Sequence, residues 1–255
     1  MTKFPVLEVK DVCKSFGGVH ALKNVDLKLY KNEILGLVGD NAAGKTTLIK
    51  IICGAYTPDS GKILLDRKEI KIMNPNNAKR LGIGAVHQEL AICGNLNVIN
   101  NLFLGQEIKN KRLWGLIKSL NENKMEEKTH EVIGDLGVSI DSLKKETNLL
   151  SGGQRQAVAL GRVTIYNAKI LLLDEPTAAI AAKERIEIFK LIKKMKNMGM
   201  SIIYISHNLQ EVFSIVDRIM VLRHGEKVGE ELIESTNPDE IVKMMTGAGL
   251  EKLKI

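Results

Sequence analysis

The sequence has few cysteines, few aromatic residues and no long apolar run. Its three cysteines, Cys13, Cys53 and Cys93, are odd in number and too far apart for a zinc knuckle, which argues against a disulfide or metal framework. We interpret them as reduced, mostly buried thiols of a cytosolic protein. No stretch approaches the roughly 18 apolar residues of a membrane span, and residues 1–12 lack a secretory signal pattern. The composition predicts an ordinary globular protein.

Charge of one sign is not concentrated anywhere in the chain. The 255 residues contain 37 Lys and Arg against 30 Asp and Glu, a net charge of +7. Basic and acidic side chains are mixed, as in 124–128 (KMEEK) and 183–187 (KERIE). Such mixing favours a solvated surface over a stripe that binds nucleic acid. A basic balance would also suit an anionic membrane surface.

The most informative stretch is Glu33–Ile52, which reads EILGLVGDNAAGKTTLIKII. The apolar run 34–38 predicts a buried strand. Residues 39–46 then fit the pattern G-x-x-x-x-G-K-[ST] and precede a helix-like segment. The N–H groups of such a loop, together with the positive end of the helix dipole, surround phosphate oxygens. Lys45 would bring its charge to the β- and γ-phosphates and the Thr46 hydroxyl would ligate Mg²⁺, which predicts a nucleoside-triphosphate site.

Two carboxylates follow a predicted buried parallel strand in 169–175 (KILLLDE). Asp174 is placed to hold Mg²⁺ through water, and Glu175 could polarise the attacking water. Gln88 and His207 each follow another predicted strand. Open α/β sheets place their chemistry just beyond the carboxyl ends of their strands. We therefore expect these side chains at one rim, with His207 near the γ-phosphate.

Between about residues 90 and 149 the pattern changes from strand-like to helical. Segments 97–104 and 123–136 have helical spacing with no strong strand between them, which predicts a helical lobe inserted into an α/β body. Residues 150–154 (LSGGQ) then open a helix that runs to about residue 165. A serine and two glycines at a helix N-terminus favour a second anion site, but the same pattern also fits a simple cap.

The remaining segments complete an α/β pattern. Alternation predicts an antiparallel strand at 25–29. We also expect a closing hairpin over 218–229 and a final helix at 238–245. A further amphipathic helix is predicted at 182–198, with these residues facing inward: Ile186, Phe189, Met195 and either Ile192 or Leu191.

Five motifs stand in a fixed order: GDNAAGKT, Gln88 after a strand, LSGGQ, ILLLDEP and His207. In this order they resemble the ATP-binding subunit of ABC transporters over essentially the whole chain. The resemblance implies the α/β fold of the P-loop ATPases, with a mixed sheet core, an antiparallel β subdomain and an inserted helical subdomain. The whole chain, 1–255, would be one such domain, with its helical subdomain at about 90–165.

Further segments resemble the subfamily that imports monosaccharides, among them GGVHALKNVDL, GAYTPDSG and ISHNLQEVF. Many of its members fuse two such domains, and this sequence resembles the single-domain members, which dimerise. The resemblance implies an ATP-hydrolysing subunit at the cytoplasmic face of the membrane. Its partners would be a second copy bound head to tail with ATP, a membrane permease and a separate extracytoplasmic sugar-binding protein, with no nucleic acid.

Two alternatives stay open. One is an importer ATPase for another solute, such as a nucleoside. The other is a soluble ATPase of the same type that acts on nucleic acid. Proteins of that class typically carry two such domains in tandem or a coiled-coil insert, and this sequence has neither.

The resemblance also implies residue roles, with ATP and Mg²⁺ as ligands. Phe16 would stack on adenine, Glu175 would be the general base and His207 would hold the γ-phosphate. Gln88 would sense Mg²⁺ and the permease, and Asp174 would support Mg²⁺ together with the Thr46 hydroxyl. The phosphates would be bound by one continuous loop of Gly39, Asp40, Asn41, Ala42, Ala43, Gly44, Lys45, Thr46 and Thr47. The γ-phosphate would be met from the partner subunit by Ser151, Gly153 and Gln154.

Several positions depart from the pattern of the family. Ala42 stands where glycine is usual, and if this position needs φ > 0, alanine is strained by on the order of 1 kcal/mol. His87 replaces a tyrosine, residues 180–182 lack the aspartate or hydroxyl expected at the dimer contact, and Gly161 and Val163 replace alanines. Turnover could be reduced at each of these places, but none of them removes a charged catalytic group.

Overall fold

The computed structural model describes residues 4–86, 92–112, 117–178 and 180–248. The chain divides into two compact units. The first unit comprises Met1–His87, Lys169–Pro176 and Lys196–Ile255, and the second comprises Gln88–Ala168 and Thr177–Met195. In chain order the elements are β1 (Pro5–Phe16), β2 (Val19–Tyr30), β3 (Ile34–Val38), α1 (Lys45–Ile52), β4 (Ser60–Leu65), β5 (Lys68–Ile70), α2 (Pro75–Arg80), β6 (Ile83–Val86), α3 (Val98–Phe103), β7 (Lys109–Arg112), β8 (Ile117–Leu120), α4 (Glu122–Leu136), α5 (Gly152–Ile165), β9 (Ile170–Asp174), α6 (Ala182–Asn197), β10 (Ser201–Ile205), α7 (Leu209–Ile215), β11 (Arg218–Arg223), β12 (Glu226–Leu232) and α8 (Pro238–Thr246).

A six-stranded mixed sheet forms the centre of the first unit, in the order β12-β11-β3-β10-β9-β6. The strands from β11 to β6 pair in parallel, and β12 pairs with β11 antiparallel. All five residues of β3 and of β10 are buried, as the continuous apolar runs require in parallel strands covered on both faces. The predicted strands at 34–38 and 169–174 and the closing hairpin are confirmed.

The first unit also contains a four-stranded antiparallel sheet, in the order β2-β1-β4-β5. Buried residues alternate with exposed ones along β2, which is the pattern of a sheet with one solvated face. The antiparallel strand predicted at 25–29 is therefore confirmed, although β2 begins earlier, at Val19.

One hydrophobic core of the first unit joins the two sheets to α1. The inward face of α1, residues 48, 49, 51 and 52, packs in the same cluster as Leu35 and Leu37 of β3 and Leu27 of β2. Full burial of an aliphatic side chain of this size contributes about 1.5–3 kcal/mol to stability. The loop between β3 and α1 is thereby fixed at both of its ends.

The second unit is built mainly from α3, α4, α5 and α6 up to Met195. The sequence predicted no strong strand between α3 and α4, but the short strands β7 and β8 lie there and pair antiparallel. The prediction that α6 buries Ile186 is wrong, since Ile186 is 56% exposed while Ile188, Leu191 and Ile192 are buried. None of the helices within the described ranges has the length and apolar character needed to cross a membrane.

Candidate functional site

The loop between β3 and α1 ends at a glycine that starts the helix. Any other residue at this position would require neighbouring atoms to shift. Gly44 is the N-cap of α1, with φ 104°. A Cβ at this position would lie 2.7 Å from the carbonyl oxygen of Ala21 and 2.8 Å from Cδ2 of Leu22. No side chain caps the helix there. Because the first N–H groups of a helix have no intrahelical acceptor, this end of α1 can bind an anion.

Ala42 lies in the same loop with a left-handed backbone. Its φ is +64°, so the condition under which strain was expected at this position is met. A residue with a Cβ is strained in this region by on the order of 1–2 kcal/mol. Alanine therefore places local strain in this loop.

Lys45, the first residue of α1, is directed back onto its own loop. Its Nζ donates hydrogen bonds to the carbonyl oxygens of Gly39 at 2.6 Å and Asp40 at 2.9 Å. Burial lowers the pKa of the Lys45 ammonium, and the nearby negative charges of Glu175, Asp40 and Asp174 oppose that shift only in part. The three acidic groups keep a cation favourable at a site that is partly withdrawn from water.

Glu175 directly follows β9 and adopts an unusual backbone conformation for a non-glycine residue, with φ +51°. Its N–H donates to the carbonyl oxygen of Ile205 at 2.9 Å, which ties it to the end of β10. Its Oε1 lies 2.9 Å from Nδ1 of His207, the second residue after β10. The strained turn is thus held by a neighbouring strand, and strain of this kind is common at functional sites.

One cavity of about 620 Å³ brings the phosphate loop and the acidic pair together. A volume of this size is typical of small-molecule and cofactor sites. It is lined by the predicted Asn41, Ala42, Ala43, Gly44, Lys45, Thr46, Thr47, Asp174 and Glu175, and also by Val19, His20, Ala21, Lys23, Ile205 and His224. Loop N–H groups, an ammonium and paired carboxylates form the set expected for a phosphate chain with its cation.

The lining includes residues that sequence reasoning missed. Residues 19–23 belong to β2, and His224 lies in the turn between β11 and β12. Neither segment has a local pattern that indicates a ligand site, although residues 19–23 lie within the stretch GGVHALKNVDL that resembles the family. They reach the cavity through long-range strand pairing, so only the sheet order could have indicated them.

Four other predicted residues of the first unit do not line this cavity, and their contacts differ. Gly39 and Asp40 hold Lys45, and His207 holds Glu175, although none of the three is among the lining residues. Phe16 is 44% exposed and packs its ring edge-to-face on Tyr56, with ring centroids 5.2 Å apart.

Phe16 likewise is not among the described residues that line the cavity. Its role in stacking on adenine stays a prediction. The predicted Gln88, with its neighbour His87, lies outside the described residues.

The LSGGQ segment forms the start of α5 in the second unit. Ser151 is the N-cap, and its Oγ accepts from the N–H of Gln154 at 3.2 Å, while the Ser151 N–H donates to Oε1 of Gln154 at 3.1 Å. Ser151, Gly153 and Gln154 line a cavity of about 410 Å³ within this unit, to which Glu184 also contributes. The simple cap that the sequence left open is therefore present, and the role toward a nucleotide stays a prediction.

Comparison with known proteins agrees with this geometry. A family profile described as ABC transporter matches residues 22–178. The chain is 39% identical to the xylose/arabinose import ATP-binding protein XylG of Sulfolobus acidocaldarius, covering 98% of this chain and 97% of that protein. It is 40% identical to the ribose import ATP-binding protein RbsA of Clostridium tetani, covering 97% of this chain and 48% of that protein. The chain thus spans about half the length of the ribose import relative.

Solved structures share the fold. A nucleotide-free ATP-binding cassette from an ABC transporter superposes with a TM-score of 0.82 at 25% identity, covering 94% of this chain and 98% of the other. The dimeric structure of MJ0796, a bacterial ABC transporter cassette, matches with a TM-score of 0.74 at 25% identity, covering 90% and 100%. The predicted fold class is confirmed. The chain belongs to the ABC transporter family and has the fold of its ATP-binding cassettes.

Proposed function

We propose that this protein is the ATP-hydrolysing subunit of an ABC importer that takes up a simple sugar. The observation that carries the proposal is the single cavity in which Lys45 and Thr46 of the phosphate loop meet Asp174 and Glu175. The phosphate chain of ATP would be held by the N–H groups at the start of α1, with the Lys45 ammonium moving from its loop carbonyls to the phosphate oxygens.

The cation site would use the oxygen atoms at the same cavity. Mg²⁺, when bound, supplies positive charge to the β- and γ-phosphate oxygens, and the residues that would hold it are Thr46, Asp174 and Gln88. A hydroxyl and a carboxylate are oxygen ligands of the kind Mg²⁺ prefers.

The hydrolytic step would rest on the pair Glu175 and His207. The Glu175 carboxylate takes a proton from a water molecule as the water oxygen bonds to the γ-phosphorus. The bond between the γ-phosphorus and its bridging oxygen to the β-phosphate breaks, leaving ADP and phosphate. His207, 2.9 Å from Oε1 of Glu175, orients this carboxylate and reaches the γ-phosphate.

A second copy of the chain would complete the site. The anion site at the start of α5 belongs to the second unit, whereas the phosphate loop belongs to the first. We place Ser151, Gly153 and Gln154 of the partner copy against the γ-phosphate. The dimeric structure of the MJ0796 cassette supports the presence of a second copy. The names of the import relatives suggest that the subunit serves sugar import. It would act at the cytoplasmic face of the membrane, bound to a permease that receives sugar from a separate binding protein.

The test replaces the Glu175 carboxylate with an amide of the same shape that cannot act as a base. Glu175→Gln should reduce ATP turnover by about 10²–10⁴-fold. ATP then persists and should hold a dimer, detected by size exclusion with light scattering in Mg-ATP but not in ADP. Glu69→Gln, an exposed acid on β5, serves as the matched control and should turn over ATP as the wild type does. Undiminished turnover in Glu175→Gln would show that this residue is not the base.

The solute is tested separately, in cells. Deletion of the gene should abolish uptake of labelled ribose or xylose, and the wild-type chain, but not Glu175→Gln, should restore it. Unchanged uptake of both sugars would contradict sugar import and leave the ATPase assignment intact. ATP hydrolysis stimulated by nucleic acid in a salt-dependent way would favour the soluble alternative instead.

A further inference from the structure

The turn between β11 and β12 carries a histidine in an unfavourable place. Arg223 pairs with Glu226, so His224 and Gly225 alone connect the two strands. Both have left-handed φ angles, +50° and +81°. Two-residue hairpins of this kind favour Asn, Asp or Gly at the first central position. A histidine there has a local cost, and residues held at such a cost are candidates for a function.

This turn is fixed against the phosphate loop on one side and β2 on the other. The N–H of Gly225 donates to the carbonyl oxygen of Ala43 at 3.1 Å. The N–H of Lys23 donates to the carbonyl oxygen of Gly225 at 2.8 Å. A Cβ at Gly225 would lie 2.8 Å from the carbonyl oxygen of Ala21. The turn at Gly225 therefore packs its backbone directly against β2. The exposed imidazole of His224 lines the cavity.

The order of the sheet tells which end of a nucleotide His224 would meet. The phosphate loop follows β3, whose neighbours are β10 on one side and β11 on the other. His207 follows β10, and Glu175 follows β9 one strand further out. The γ-phosphate end thus points toward β9. A nucleotide in this cavity would then extend its nucleoside end the other way, toward the turn after β11 and toward β2, where His224 and Lys23 line the cavity.

We infer that His224 binds the nucleoside part of the nucleotide, where its imidazole can donate or accept a hydrogen bond with a ribose hydroxyl. The inference rests on the proposed function, in which ATP fills this cavity. His20 lines the same wall, but its Nδ1 already lies 2.9 Å from Oγ of Ser15. His224 is the side chain that the turn holds in place for this contact.

The test compares ligands with and without a nucleoside. Affinities of ADP, ATP and inorganic tripolyphosphate are measured by calorimetry for the wild type, His224→Asn and His224→Gly. Both variants suit the turn, so their melting temperatures should equal or exceed that of the wild type. Loss of one hydrogen bond should weaken ADP and ATP by about three- to tenfold. Tripolyphosphate should bind all three proteins equally.

A matched control uses the turn between β4 and β5, where Asp66 and Arg67 also have left-handed φ angles. Asp66 is not among the residues that line the nucleotide cavity, so Asp66→Gly should leave every affinity unchanged. Unchanged affinity for ADP in both His224 variants would overturn the inference alone. An equal loss for tripolyphosphate would overturn it too, because it would place His224 at the phosphates. Absence of nucleotide binding by the wild type would overturn the inference and the proposed function together.

Discussion

The helices that follow the two glycine-rich motifs begin in opposite ways. α1 starts at Gly44, which lacks a side chain and makes no cap hydrogen bond. α5 starts at Ser151, whose hydroxyl and N–H exchange hydrogen bonds with Gln154 in a complete capping box. The donors at the start of α1 are therefore left for a ligand, whereas α5 satisfies part of its own end.

This difference suits the two contacts in the proposed function, one with the chain's own nucleotide and one with the nucleotide of the partner copy. In the proposed function, α1 binds phosphates delivered directly to its own cavity. α5 would contact a γ-phosphate only in the dimer. Its capping box stabilises the start of α5 in the absence of the partner's nucleotide. The comparison also separates residues whose replacement should remove binding from those whose replacement should only weaken a helix.

The largest contrast is expected between the glycines of the two motifs. Gly44→Ala adds a Cβ to a left-handed residue against backbone 2.7 Å away, so it should destabilise the protein by about 3–5 kcal/mol. The Cβ added in Gly153→Ala would meet the Glu184 side chain at 3.5 Å or more, an ordinary contact distance, so this variant should be neutral or stabilise by up to about 1 kcal/mol. Urea unfolding of both variants measures this. Equal losses would contradict the contrast.

Lys45→Ala should remove nucleotide binding at α1. The substitution deletes the charge that faces the phosphates, and we expect the affinity for Mg-ATP to fall about a hundredfold. Lys50→Ala, at the last turn of the same helix, is the control and should bind ATP within about twofold of the wild type. Calorimetry and steady-state ATPase assays check both. Full ATPase activity in Lys45→Ala would be incompatible with the proposed site.

Ala42→Gly should relieve strain in the phosphate loop. Removing a penalty on the order of 1 kcal/mol should tighten ATP binding by up to about tenfold. Ala43→Gly, at the next residue, removes a buried methyl group instead and should bring no gain. If Ala42→Gly changes neither affinity nor melting temperature, the left-handed alanine is not strained.

The smallest effect is expected at the cap of α5. Ser151→Ala removes the acceptor for the N–H of Gln154 and should lower the free energy of unfolding by about 1 kcal/mol. Ser151→Asn preserves a capping side chain and should recover most of it. Melting curves without nucleotide isolate this effect from any role in dimerisation. No loss in Ser151→Ala would show that the box contributes nothing.

The sequence predicted best where residues close in the chain decide the structure. The loop between β3 and α1, the acidic pair at the end of β9 and the cap at Ser151 depend on short patterns. The first two are found where the sequence predicts them, and the cap is one of the two possibilities that the sequence left open. The hairpin of β7 and β8 was missed because Lys109–Arg112 reads KNKR, without the apolar alternation that marks a strand.

Other errors come from packing and topology that no short pattern encodes. Ile186 is apolar but lies off the stripe of Ile188, Ile192 and Met195 that α6 buries. His224 is separated by about 180 residues from the loop it adjoins, and only the pairing of β11 with β3 brings them together. The site residues that sequence reasoning missed share this cause.

The hydrogen bonds from Nζ of Lys45 to the carbonyl oxygens of Gly39 and Asp40 have a consequence for competition among anions. An anion that binds the Lys45 ammonium must replace the two hydrogen bonds that these carbonyl oxygens already accept from it. Inorganic phosphate offers a single charged group for this exchange, while a triphosphate offers three linked groups and is also held by the N–H groups of α1. In the proposed function, metabolites that carry a single phosphate should therefore compete only weakly with ATP for this loop.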